Sequence, residues 1–209
     1  MKNFLITSIS TLMLTALLVQ PSLAQQHGNH NHGNQHQCHQ HSGHDHEMKD
    51  SHDHTDAFES VSDDFRAELT KAVETYISAK DELFESNLNS AKSEFEAFKD
   101  SIEAIGKHTV SGDGHVAWME SYDKLIEHAE AITASKDLDE ARLTFRHLSN
   151  ELIHAVNQFG IEGVVYHQYC PMAFNNEGAN WLSTNEQVQN PYLPDTMPGC
   201  GQVIERIET

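Results

Sequence analysis

The stretch Asp137–Gly160, DLDEARLTFRHLSNELIHAVNQFG, decides the fold class. Leu138, Ala141, Phe145, Leu148, Leu152 and Phe159 recur at helical steps, the period of a helix that buries one face. Asp137 with Glu140 resembles a capping arrangement at its start, and Gly160 supplies a stop. Working upstream, Trp118, Tyr122, Leu125, Ala129 and Ile132 mark a helix of the same kind, preceded by a Ser-, Gly- and Asp-containing loop from Lys107 to Gly114. Phe95, Phe98, Ile102 and Ile105 mark another, which Asn89 can cap and Gly106 can close. Phe65, Leu69, Ala72, Val73, Tyr76, Leu83 and Phe84 give the first, over about 63–86. Four such helices with short links predict an all-α domain, an up-down-up-down four-helix bundle over residues 63–159. The aromatic stripes read as core. His128, His147 and His154 read as surface or satisfied histidines of these helices.

Downstream of Gly160 the helical period is lost. Val164 to Tyr169 looks extended, and Cys170-Pro171-Met172 follows. Pro171 excludes helix there and pushes Cys170 toward extended geometry, in which positions i and i+2 share a side. Cys170 and Met172 are therefore expected to present two sulfurs to one point. Met197-Pro198-Gly199-Cys200 is the sequence of a type II turn, which brings its first and fourth residues together. With His167 nearby, two converging sulfur pairs make a soft donor set suited to Cu(I), while zinc would use Cys and His alone. The rival reading is a Cys170–Cys200 disulfide with both methionines as packing, worth roughly 3–4 kcal/mol through lost loop entropy. Spacing alone leaves the two open. Too few apolar residues lie beyond Gly160 for a separate core, so this irregular Cys/Met segment is expected to wrap onto the bundle, making 63–209 one domain.

The N-terminal quarter has a different character. Residues 1–24 carry Lys2, an apolar run from Phe4 to Val19, then Pro21 and the small residues of Ser22-Leu23-Ala24. That is the layout of a secretory signal peptide cleaved after Ala24, with a run shorter than the ~20 residues a spanning helix needs. A periplasmic or secreted location follows as the expectation, with no later membrane span. Residues 25–62 are read as a disordered tail. Between Gln25 and Asp56 there is no Val, Ile, Leu or aromatic residue to offset the entropy of ordering. Ten of the 16 histidines fall in it: His27, His30, His32, His36, His39, His41, His44, His46, His52 and His54, with Cys38 among them. Tracts of this kind bind metal, and imidazoles one residue apart can close a chelate on copper, zinc or nickel.

The composition sharpens the reading. The 209 residues hold 13 Lys and Arg against 32 Asp and Glu, a net charge of −19. Phosphate contacts need a basic patch, so nucleic acid and anionic membranes are poor partners. Three cysteines outside the cytoplasm mean one pair and a leftover, or metal-bound thiolates. No Gly-x-Ser-x-Gly elbow, His-Glu-x-x-His helix or phosphate loop is present, and no enzymatic activity is expected.

The run Tyr166-His167, Cys170-Pro171-Met172-Ala173, Gly178-Ala179-Asn180-Trp181-Leu182-Ser183, Asn190-Pro191-Tyr192, Met197 and Cys200-Gly201 resembles a bacterial domain of unknown function. That domain occurs alone in secreted proteins and at the C-terminus of CusB-type periplasmic adaptors of heavy-metal efflux pumps. Ala141-Arg142-Leu143-Thr144-Phe145 with Leu148-Ser149 resembles its last bundle helix. The chain departs from the pattern at Tyr192-Leu193-Pro194, where the family tends to have Tyr-Phe-Gly. The resemblance implies copper or heavy-metal handling through His167, Cys170, Met172, Met197 and Cys200, with an efflux adaptor or pump as the partner. A chaperone, buffer or resistance factor for copper is the leading expectation. The alternative is a disulfide-stapled interaction module of an efflux assembly, whose metal is held by the tail alone.

Overall fold

The structure is a computed structural model and describes residues 61–208. The readings of residues 1–24 as a signal peptide and of 25–60 as a metal-binding tail lie outside the described residues. Val61 and Ser62, read as the end of the tail, belong to the fold. Val61 is buried, and Ser62 caps the first helix by accepting the Phe65 N–H at 3.2 Å.

Four long helices follow one another: α1 (Asp63–Phe84), α2 (Leu88–Ile105), α3 (Asp113–Ala134) and α4 (Leu138–Phe159). Each expected helix is present. Asn87 rather than Asn89 caps α2, accepting the Ser90 N–H at 3.3 Å. The Asp137 carboxylate accepts the Glu140 N–H at 2.9 Å, and the Glu140 carboxylate reaches back to the Lys136 N–H at 2.8 Å. Gly106 and Gly160 close α2 and α4.

Side-chain pairs fix the helix directions. The Trp118 indole N–H, on α3, bonds Gly106 O at the end of α2, while the Lys92 ammonium, early in α2, bonds Ser135 O just past α3. Phe65 packs on Phe159 and Tyr76 on Phe145, so α4 runs antiparallel to α1. Phe95, Phe98, Trp118, Phe145, Leu148, Leu152 and Phe159 are fully buried, each contributing roughly 1.5–3 kcal/mol or more. No helix among the described residues is long and apolar enough to cross a membrane.

The all-α expectation is corrected beyond Gly160, where the segment is ordered as a small antiparallel sheet. Strands β1 (Val164–Cys170), β2 (Ala179–Ser183) and β3 (Gln202–Glu208) lie in the order β2-β1-β3. Between β1 and β2 comes the short turn α5 (Ala173–Asn176). The β-branched and aromatic residues Val164, Val165 and Tyr166 favour a strand. The partners lie from 9 (Cys170 and Ala179) to 44 (Val164 and Glu208) residues downstream, beyond the reach of a local pattern. In register, Gln168 opposes Trp181 and Cys170 opposes Ala179, while His167 opposes both Leu182 and Glu205. A bulge sits where His167 and Gln168 face Glu205 and Val203, leaving Ile204 unpaired.

The sheet packs on the bundle. Trp181 and Leu182 are fully buried, Leu182 N–H donates to the Tyr76 hydroxyl at 3.2 Å, and the Tyr192 ring lies 5.5 Å from that of Phe145.

Candidate metal centre

Two devices bring the cysteines together. Strand β1 ends at Cys170, whose side chain is buried. Cys200 follows the turn from Met197 and precedes β3, which pairs with β1. The two sulfurs stand 2.9 Å apart. The Cys200 thiol is pushed up from its ordinary pKa, first by its hydrogen bond with Cys170, then by burial. The Met172 N–H also points at Cys200 and opposes that rise. At neutral pH the Cys200 thiol therefore keeps a proton that an incoming cation must displace.

The Met197–Cys200 turn is made, with Cys200 N–H donating to Met197 O at 3.0 Å. It is not the expected type II turn. That type needs a positive φ at its third residue, and the positive φ falls instead on Gly201. A preceding bond, Met197 N–H to Leu193 O at 2.8 Å, turns the chain after Pro194. Met197 is half-exposed at the rim.

Met172 departs from expectation more clearly. The extended geometry stops at Cys170, and Met172 has helical φ and ψ of −88° and −14°. Its side chain is exposed and lines a cleft of about 670 Å³ with Leu143, Phe174, Tyr192, Leu193 and Arg142. The floor of that cleft includes a rare conformation: Phe174, Asn175 and Asn176 all have φ between 50° and 71°. Non-glycine residues adopt this region at a cost of order 1–3 kcal/mol each, least for Asn.

His167 is placed apart from the sulfurs. It lies three residues from Cys170 on one strand, and hence on the opposite face. Its Nε2 is 3.0 Å from the Asn180 side-chain oxygen, and its Nδ1 is 3.7 Å from Glu205. Asn180 in turn donates to the Asn150 side chain on α4 at 3.1 Å.

Sequence reasoning missed the residues that support the centre. The Asn190 side chain donates to Cys200 O at 2.9 Å and accepts the Tyr192 N–H at 2.9 Å, while its own N–H bonds Pro198 O. Arg142 donates to Pro191 O, Leu83 O and the Ser86 hydroxyl, tying this loop to the end of α1. Both residues stood in the quoted motifs, without any pattern that would give their role.

Residues 72–163 match the family model described as a protein of unknown function, DUF3347. The DUF3347 match runs from the middle of α1 to the residue before β1, so it covers most of the four long helices and stops short of Cys170, Met172, Met197 and Cys200. No curated protein and no solved structure matches the chain. Among the described residues no three His, Cys, Asp or Glu side chains converge as metal ligands. A cation held here would use the two thiols, with thioether or solvent donors completing its shell. Two thiolates suit a soft ion of low coordination number.

Proposed function

We propose that the chain is a periplasmic heavy-metal-binding protein that takes copper as cargo, acting as a chaperone, buffer or accessory of efflux. The observation that carries the reading is the 2.9 Å approach of Cys170 and Cys200 on a chain with ten histidines between His27 and His54. In this reading the His-rich tail captures ions with little selectivity. The folded centre holds Cu(I) between the two thiolates, with Met172 and Met197 as thioether donors at the rim. His167 serves as a sheet residue. The resemblance to domains of CusB-type adaptors supports an efflux partner, and the N-terminal address supports the compartment. Binding without turnover fits the lack of a catalytic motif.

The same approach of two sulfurs favours a second reading, a disulfide that staples an interaction module whose metal sits on the tail. One experiment separates them. The mature full-length protein is purified without reductant, and its thiols are counted in denaturant. Cu(I) is then titrated anaerobically with reductant against a competing chelator. The copper reading expects three titratable thiols and a loss of Cu(I) affinity of more than about tenfold (1.4 kcal/mol) in Cys170→Ser and in Cys200→Ser. Met172→Leu should weaken binding with little change in stability, because it keeps volume and apolarity. The tail is present in every variant, so differences report the fold. One titratable thiol, with the same Cu(I) affinity throughout, decides for the stapled module.

A further inference from the structure

Two histidines read as ordinary helix-surface residues are neighbours in the structure. The α3–α4 seam runs antiparallel, with the Ser121 hydroxyl donating to Glu151 at 2.9 Å and the Lys124 ammonium 3.2 Å from the same carboxylate. About two turns further along α3, His128 meets His147 of α4, their ring centres 5.9 Å apart and their planes inclined by 32°. The placement follows from the core. Ala129 and Leu148 are fully buried in the bundle, and each histidine precedes one of them by a single residue, at the edge of the buried stripe. His128 is thereby half-buried and His147 exposed, which leaves the pair open to ions from solvent.

Three observations point to a ligand between these rings. Two imidazoles sharing one cation, at metal–nitrogen distances of about 2.0–2.1 Å, have ring centres about 5–6 Å apart. The observed separation needs only side-chain adjustment. Neither ring has a hydrogen-bond partner among the described residues, unlike His167, whose two nitrogens face Asn180 and Glu205. Two carboxylates, Glu127 and Glu151, favour a positive charge at His128, against burial, His147 and Lys124, which disfavour it. Glu151 stands one turn from His147 on the same face of α4, and the Lys124 side chain that holds it is half-exposed and can swing into water.

We propose that His128 and His147 form a second metal site on the folded domain, binding a divalent borderline cation of the zinc class between α3 and α4. Water completes the shell, or Glu151 once Lys124 releases it. Imidazole donors select Zn(II), Cu(II) or Ni(II), whereas the thiols of Cys170 and Cys200 select Cu(I), so one small domain carries two sites of different softness. The inference does not rest on the copper reading of those thiols.

The test uses Zn²⁺ and the mature full-length protein. A cation held between two helices of the fold binds the native state alone and raises the melting temperature, by about 5 °C at a hundredfold excess over Kd. Zinc on the tail or on the thiols acts equally in wild type and variants, so the difference isolates the pair. His128→Gln and His147→Gln should melt near the wild-type temperature without metal and lose most of that zinc-dependent increment. A second readout needs no substitution: Zn²⁺ should slow diethylpyrocarbonate modification of both His128 and His147, mapped by peptide mass. An equal zinc increment in wild type and both variants overturns the site, as does modification of the two rings at the same rate with and without zinc.

Discussion

Tyr76 shows how much a single hydroxyl can hold together. Its Oη lies 2.8 Å from the Ser149 hydroxyl and accepts the Leu182 N–H at 3.2 Å, so one buried atom joins α1, α4 and β2. Tyr76→Phe keeps the ring but leaves the Leu182 N–H without an acceptor, a loss of about 1–3 kcal/mol that urea unfolding at pH 7 would read. The same site governs alkaline behaviour. Burial pushes the Tyr76 phenol well above its ordinary range, against the opposing bonds of Ser149 and Leu182. Tyr192 shifts the same way, first through burial and then through Tyr76. A pKa raised in the folded state means that the unfolded chain ionises first. Stability is then full below about pH 10 and falls above it, by up to about 1.4 kcal/mol per pH unit for each tyrosine. Tyr76→Phe should remove one of the two slopes, and an unchanged slope would refute the account. The spacing of Tyr76 identified it as core, but its hydroxyl could not be read. Its partners lie 73 and 106 residues away, and no local pattern encodes them.

The elements differ in how openly the sequence declares them. Helix starts are local chemistry, a side-chain oxygen and an N–H three residues on, and Asp137 with Glu140 was legible for that reason. The missed cap at Asn87, two residues before Asn89, is the same chemistry with two candidates of one kind. Strands need partners. The extended character of β1 could be read, yet β3 could not, since its pairing and the bulge at Ile204 are set by residues far along the chain. The turn into β3 shows the limit again: Met-Pro-Gly-Cys gave a turn as expected, but the left-handed residue is Gly201. A Cβ there would stand 3.0 Å from both Trp181 Cη2 and Tyr169 O, at a φ of +143° that L side chains rarely adopt. The Tyr169 carbonyl is strand backbone and cannot yield cheaply. Gly201→Ala should therefore cost roughly 1–3 kcal/mol in chemical denaturation. It should also displace Cys200 from Cys170, lowering the yield of the disulfide under mild oxidation. Wild-type stability in this variant would mean that the turn is looser than its geometry.

Across the whole molecule, helices and sheet share one core, and this governs how the protein unfolds. The bundle was legible because its apolar period runs through four successive segments; the segment beyond it was expected to wrap onto it, but its pairing into a sheet was not. The sheet and the loop before β3 contribute what that period lacks: Trp181 and Leu182 of β2 are fully buried, and Tyr192 of the loop packs against Phe145, Phe174 and Trp181. The DUF3347 match ends at residue 163, immediately before β1, so a chain cut there is the natural test of where the folding unit ends. Such a cut uncovers the face of α1 and α4 that carries Tyr76, Phe145 and Ser149. It leaves the Tyr76 hydroxyl without the Leu182 N–H and the Arg142 guanidinium without the Pro191 carbonyl. Each large apolar side chain returned to water forfeits about 1.5–3 kcal/mol, and three or four of them approach the whole stability of a typical domain. The full chain should therefore unfold in one transition, with far-ultraviolet circular dichroism and tryptophan fluorescence coinciding, since Trp118 reports the bundle and Trp181 the sheet. The chain ending at residue 163 should keep helical signal, lose cooperativity and bind a hydrophobic dye. A sharp transition in the truncated chain, near the melting temperature of the full one, would make the bundle the folding unit and the sheet a passenger on its surface.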